Sequence, residues 1–189
     1  MVRQKHRVTH LFIWVAALYV ALISIAVIYS WALNIHRFDM GLTVSLYVAL
    51  HYWTAILYFI GAVIICTTLL IYVIRSNAHI VKKITYFAIL FCVFTCALFP
   101  CNKSRSVLTT NIHDFFAYTL VILMALSFVL FLLFARNKRQ KVFATCSLLY
   151  AAFFIGAFAF DFDFVHHTIF IWENVIIALF FFELYLESQ

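Results

Sequence analysis

Charge, glycine and proline are all in short supply in this chain. Of its 189 residues only 11% are charged, 3 are Gly and 1 is Pro, while 67% are hydrophobic. Soluble domains carry about 25% charged residues, so there is too little polar sequence here to cover a water-facing surface. Glycine is too scarce, and Pro100 too isolated, for the broken helices on which many secondary transporters build their midplane sites. A Gly-rich phosphate loop and a Gly-x-Ser-x-Gly elbow are both missing, which argues against ATP-driven and serine-elbow chemistry. The 5 cysteines are an odd number, and Cys66, Cys92, Cys96 and Cys146 fall inside apolar stretches, leaving only Cys101 at a surface. That pattern fits neither a disulfide framework nor a thiol relay. The basic excess, 13 Lys and Arg against 7 Asp and Glu, is spread over loops and forms no single face for nucleic acid.

What is abundant is apolar sequence in long runs, at about 10–33, 53–74, 84–99, 115–135, 142–160 and 168–186. Each is near the roughly 20 residues that cross a hydrocarbon core, and continuous rather than alternating apolarity selects helices over a barrel. The chain is therefore expected to be all-α, an integral membrane bundle of six transmembrane helices, folded as a single domain over 1–189. The third run ends at Pro100, which disfavours helix in the residue before it. The first run follows Arg3, Lys5 and Arg7 but exceeds the 7 to 15 apolar residues of a cleaved signal, so it is read as retained.

Lys and Arg in alternate segments number ten against three. The positive-inside rule then puts both termini and the loops at 75–83 and 136–141 in the cytoplasm. The expected location is the plasma membrane, in a bacterial cell. The segments 34–52, 100–114 and 161–167 face out, and the first, in which Leu42, Val44, Leu46, Val48 and Leu50 alternate with other residues, suits a short interfacial helix or strand.

Polar chemistry gathers on that outer side. His36, Asp39, His51, Asn102, Arg105, His113, Asp114, Asp161, Asp163, His166 and His167 lie there, with Glu173 and Asn174 just inside the sixth span. His51, His113 and the His166–His167 pair each open an even-numbered span, so three imidazoles stand at similar depth. Converging, they would suit a three-histidine zinc site or a haem site; apart, they are ordinary residents of a membrane interface. Glu173 lies about 8 Å inside the sixth span at 1.5 Å per residue, a depth at which a carboxylate marks a functional site by default. Seven residues separate it from His166 and put both on one helix face, with His51 or His113 as its expected hydrogen-bond partner. Thr54 and Tyr58 share the face of His51, and with Asn174 they could complete a polar lining. No acidic or basic residue sits mid-span, so a transmembrane proton relay lacks its parts.

The segment Leu98-Phe99-Pro100-Cys101, followed twelve residues later by His113 at the head of the next span, resembles the multi-pass bacterial and archaeal family called domain of unknown function nine-nine-eight. The resemblance implies a six-helix bundle and carries no activity with it. Where that family has an acidic residue soon after Phe-Pro, this chain has Cys101-Asn102. A looser similarity in kind links it to membrane hydrolases such as alkaline ceramidases, which hold zinc with three histidines, and to six-helix cytochromes of the b561 type.

The leading expectation is an outward-facing pocket of His51, His113, Asp114, His166 and Glu173, with Asn174 and Tyr58, binding a small ligand, a lipid headgroup or a metal. One alternative is a zinc-dependent hydrolase at the outer interface, with His51, His113 and His166 on the metal and Glu173 or Asp114 activating water. Others are an accessory subunit that packs a membrane protein partner, and a haem-binding electron carrier.

Overall fold

The computed structural model describes residues 2–33, 39–101 and 106–187; His36, Asn102 and Arg105 lie outside them. Eight helices follow in order: α1 (Val2–Ala32), α2 (Val44–Ala49), α3 (Tyr52–Arg75), α4 (Ile80–Leu98), α5 (Val107–Leu133), α6 (Lys138–Ala159), α7 (Asp163–His166) and α8 (Ile169–Glu187). Among the described residues there is no strand. Six of the helices, all but α2 and α7, are long and apolar enough to cross a membrane. The chain is an all-α, multi-pass integral membrane protein. Large apolar side chains such as Trp14 at 74% and Leu133 at 72% exposure stand on the outside of the bundle, as a protein solvated by lipid requires.

Spans adjacent in sequence pack side by side, α1 on α3, α3 on α4, α4 on α5 and α5 on α6, and α8 closes the bundle against α1, α5 and α6. Gly61 lets α1 approach α3 closely, because a Cβ there would fall 2.2 Å from Cδ1 of Leu22. Between α6 and α8, Trp172 stacks on Phe154 with centroids 5.8 Å apart and on Tyr150 at 5.1 Å.

Apolarity marks the hydrocarbon, whereas capping marks the helix, and the two differ by several residues. The fourth span was expected from Phe115, yet α5 begins at Val107 because Ser106 accepts a hydrogen bond from the Thr109 N–H. Likewise α6 begins at Lys138, where Asn137 accepts from the Gln140 N–H at 2.9 Å. The extra turns on α5 place His113 and Asp114 within regular helix. Helix α6 closes with Phe162 N–H bonded to the Ala157 carbonyl and Asp161 N–H to that of Phe158, a Schellman arrangement with Asp161 at φ 59°.

The segment before the second span resolves as helix rather than strand. Thr43 caps α2 by accepting from the Leu46 N–H, and Val44, Tyr47, Val48 and Ala49 are buried. Two bonds stitch this segment to α8: the Phe170 N–H donates to the Met40 carbonyl at 3.0 Å, and the Val44 N–H to Glu173 Oε2 at 2.8 Å.

Candidate functional site: a cleft at the end opposite the termini

Pro100 is where the site begins. Having no N–H, it cannot bond the Cys96 carbonyl four residues back, which is left over at the end of α4. His113, on α5 and 5% exposed, supplies the missing donor: Nδ1 lies 3.1 Å from the Cys96 oxygen and 2.8 Å from that of Phe99. Carbonyls only accept, so Nδ1 carries the proton, and in the neutral ring Nε2 is an acceptor. The Phe-Pro and the histidine seen in sequence are thus two halves of one helix-terminating contact.

His113 also lines a cleft of about 260 Å³ between α5, α6 and α8. Its polar end holds His113, Asp114 and Glu173, with Thr43, Ser45 and Cys101 beside them. Its apolar wall is formed by Ala117, Val121 and Ile122 of α5 and Phe154, Ile155 and Phe158 of α6. The spacing follows the helix: His113, Ala117 and Val121 form one i, i+4 row, and Asp114, Tyr118 and Ile122 the next. From Asp114 to Ile122 the trough runs about 12 Å along the α5 axis at 1.5 Å per residue. Tyr118 and Ile122, on the rim, are 55% and 61% exposed, so the cleft opens sideways on the flank of a spanning helix.

Three of the expected site residues, His113, Asp114 and Glu173, therefore line one cavity; the others do not. His51 caps α3, its Nδ1 accepting from the Trp53 N–H at 3.3 Å, and its ring meets Tyr29 at 5.1 Å. His166 sits on α7 with Nε2 2.8 Å from Oδ1 of Asp161 and its ring against Phe158. Glu173, expected to bond His51 or His113, bonds the Val44 N–H instead. Tyr58 lines a separate internal cavity of about 80 Å³ with Tyr19, whose hydroxyl donates to the Asn174 Oδ1 at 3.2 Å. The Thr54 hydroxyl lies 2.8 Å from each of two carbonyl oxygens, that of Val48 in α2 and that of His51, and donates to one of them at a time. Among the described residues no three His, Cys, Asp or Glu side chains come together as a metal-ligand set. The three-histidine arrangement of His51, His113 and His166 does not form, because local partners fix each ring in a different place.

Sequence reasoning passed over a second polar centre at the end carrying the termini. Glu183, fully buried in α8, accepts from Tyr86 of α4 at 2.7 Å and lies 2.9 Å from Oγ of Ser127 in α5. One turn on, Glu187 pairs with Lys82, which is 2% exposed and has its Nζ 4.6 Å from the Phe131 ring centroid. Gln140 of α6 donates to the Leu186 carbonyl and accepts from the Arg136 N–H. The available signal was the pair of four-residue spacings, Lys82 with Tyr86 and Glu183 with Glu187, each of which puts two polar groups on one helix face.

Set against known proteins, the chain matches no family model, no curated protein and no solved structure.

Proposed function

We propose that the protein binds an amphiphilic small molecule or lipid in this cleft, its head against His113, Asp114 and Glu173 and its tail along Ala117, Val121 and Phe154. The observation that carries the reading is the co-location, in one sideways-open cavity, of a polar end and an apolar trough. Ligand sites are concave and mostly apolar with a few placed polar groups, and this cleft has that composition. A lateral opening admits a molecule already dissolved in the bilayer. With both termini cytoplasmic, as the basic asymmetry favours, the polar end faces outward in a plasma membrane. The pairing of His113 with the Phe99 carbonyl gives a physical reason for the Phe-Pro and histidine pattern of this chain.

Filling the trough tests the reading. Single-chain amphiphiles titrated into the purified protein should raise its melting temperature, and Ala117→Trp, which places an indole in the tail region, should abolish the rise. An equal rise in both proteins would overturn the proposal.

A further inference from the structure

We infer that Glu183 is a reversible proton-binding site, wired so that its charged and neutral forms are both fully hydrogen-bonded and differ by rotation of one hydroxyl, that of Ser127. This site is separate from the cleft, at the other end of α8.

The wiring follows from counting donors. Oγ of Ser127 lies 2.9 Å from Oε2 of Glu183 and 2.8 Å from the Met124 carbonyl oxygen. A serine hydroxyl has one hydrogen and two lone pairs, so it can serve only one of these acceptors at a time. With Glu183 ionised, the hydroxyl donates to Oε2. When Glu183 takes a proton on Oε2 from hydronium, releasing water, the new O–H donates to Oγ and the serine hydrogen turns to the Met124 carbonyl. Tyr86 donates to Oε1 in both states. No carboxyl oxygen is orphaned in either. A carboxylate kept only for packing would need just one of these arrangements.

Charge counting points the same way. Among the described side chains, the charged groups that act on Glu183 are Lys82 on α4 and Glu187 on its own helix. Lys82 is engaged by Glu187 and Phe131, so among the described side chains Glu183 has no cation of its own. From the other packed elements, α3 presents Tyr72, whose hydroxyl bonds the Leu184 carbonyl; α5 presents Ser127 and Phe131; α6 presents Gln140; and α1 presents Phe12 against Tyr72 and Tyr185. None of these named groups carries a positive charge. A proton is the ligand that balances one buried cation against two carboxylates. One turn on, the Glu187 side chain is 11% exposed, so the surface of the bundle lies close to this centre.

The test is infrared difference spectroscopy of the protein in liposomes through reversible pH steps. The expected result is a carboxylic acid carbonyl band that appears and vanishes with pH, moves down in D2O, is lost in Glu183→Gln and persists in Glu173→Gln. Glutamine copies the neutral form, its amide accepting from Tyr86 and donating to Ser127, so that variant should fold. Ser127→Ala should shift the band by removing its hydrogen-bond partner, a readout that remains if Glu183→Gln does not fold. A titrating band unchanged in Glu183→Gln or in Ser127→Ala, or no titrating band over the pH range where the fold persists, would overturn the inference.

Discussion

Replacing Lys82 with Met removes one charge from a closed pair while nearly keeping the side chain's length. Lys82 is 2% exposed and Glu187 11%, so neither is well hydrated. Removing one partner of a buried pair leaves the other charge uncompensated, a loss of about 3–5 kcal/mol. The contact of Nζ with the Phe131 ring goes too, worth about 0.5–2 kcal/mol in such geometries and contained within the same difference. If the loss comes from the stranded carboxylate, also replacing Glu187 with Leu should recover most of it, because apolar substitutes for a whole buried pair are often neutral or stabilising. Reversible denaturation of the purified protein in mixed micelles, run as a double-mutant cycle, reads each term. A Lys82→Met loss below about 0.5 kcal/mol, the scale of an exposed pair, would show that water enters this end of the bundle freely and would refute the reasoning.

Asp161 holds a left-handed backbone conformation that costs a non-glycine residue about 1 kcal/mol or more. Asp161→Gly should therefore be neutral or up to about 1 kcal/mol stabilising in the same assay, since the contact it gives up with His166 is largely exposed. For topology, single cysteines at Asn77 and Asn137 in a background without native thiols should be shielded from an impermeant reagent in intact cells, while one at Asp163 should react; the reverse pattern would invert the bundle. His167 titrates above its ordinary value of 6.5, through its hydrogen bond to the Asp163 backbone and then the Asp163 carboxylate. Its raised affinity for a proton favours the folded state below that ordinary value, and the effect is lost as pH rises through the higher folded one. An NMR titration should show the midpoint falling in Asp163→Asn.

The six spans were legible because lipid leaves an uncovered backbone no alternative to helix, so length and apolarity suffice. Helix starts were less so: Ser106 and Asn137 are polar residues outside the apolar runs, and their side chains, not hydropathy, decide where α5 and α6 begin. Depth along the chain brought His113, Asp114 and Glu173 to one level, and packing of α5 against α8 set them around one cleft. It could not decide ring direction. The Trp53 N–H holds His51, Asp161 lies beside His166, and the carbonyls freed by Pro100 engage His113, all short-range contacts that depth alone does not reveal. The Glu183 centre went unseen because Lys82 reads as a loop cation that sets orientation. In the folded chain it is a buried residue of α4, facing the end of a helix about a hundred residues away in sequence.

Photoaffinity labelling in membranes tests the cleft most directly. A single-chain amphiphile carrying a diazirine in its tail should label α5 around Ala117–Ile122 and α6 around Phe154–Phe158, and excess unlabelled amphiphile should suppress that labelling. Labelling spread over the lipid-facing surface, on Trp14 and Leu133 as much as on the trough, and unaffected by competitor, would contradict a bound ligand there.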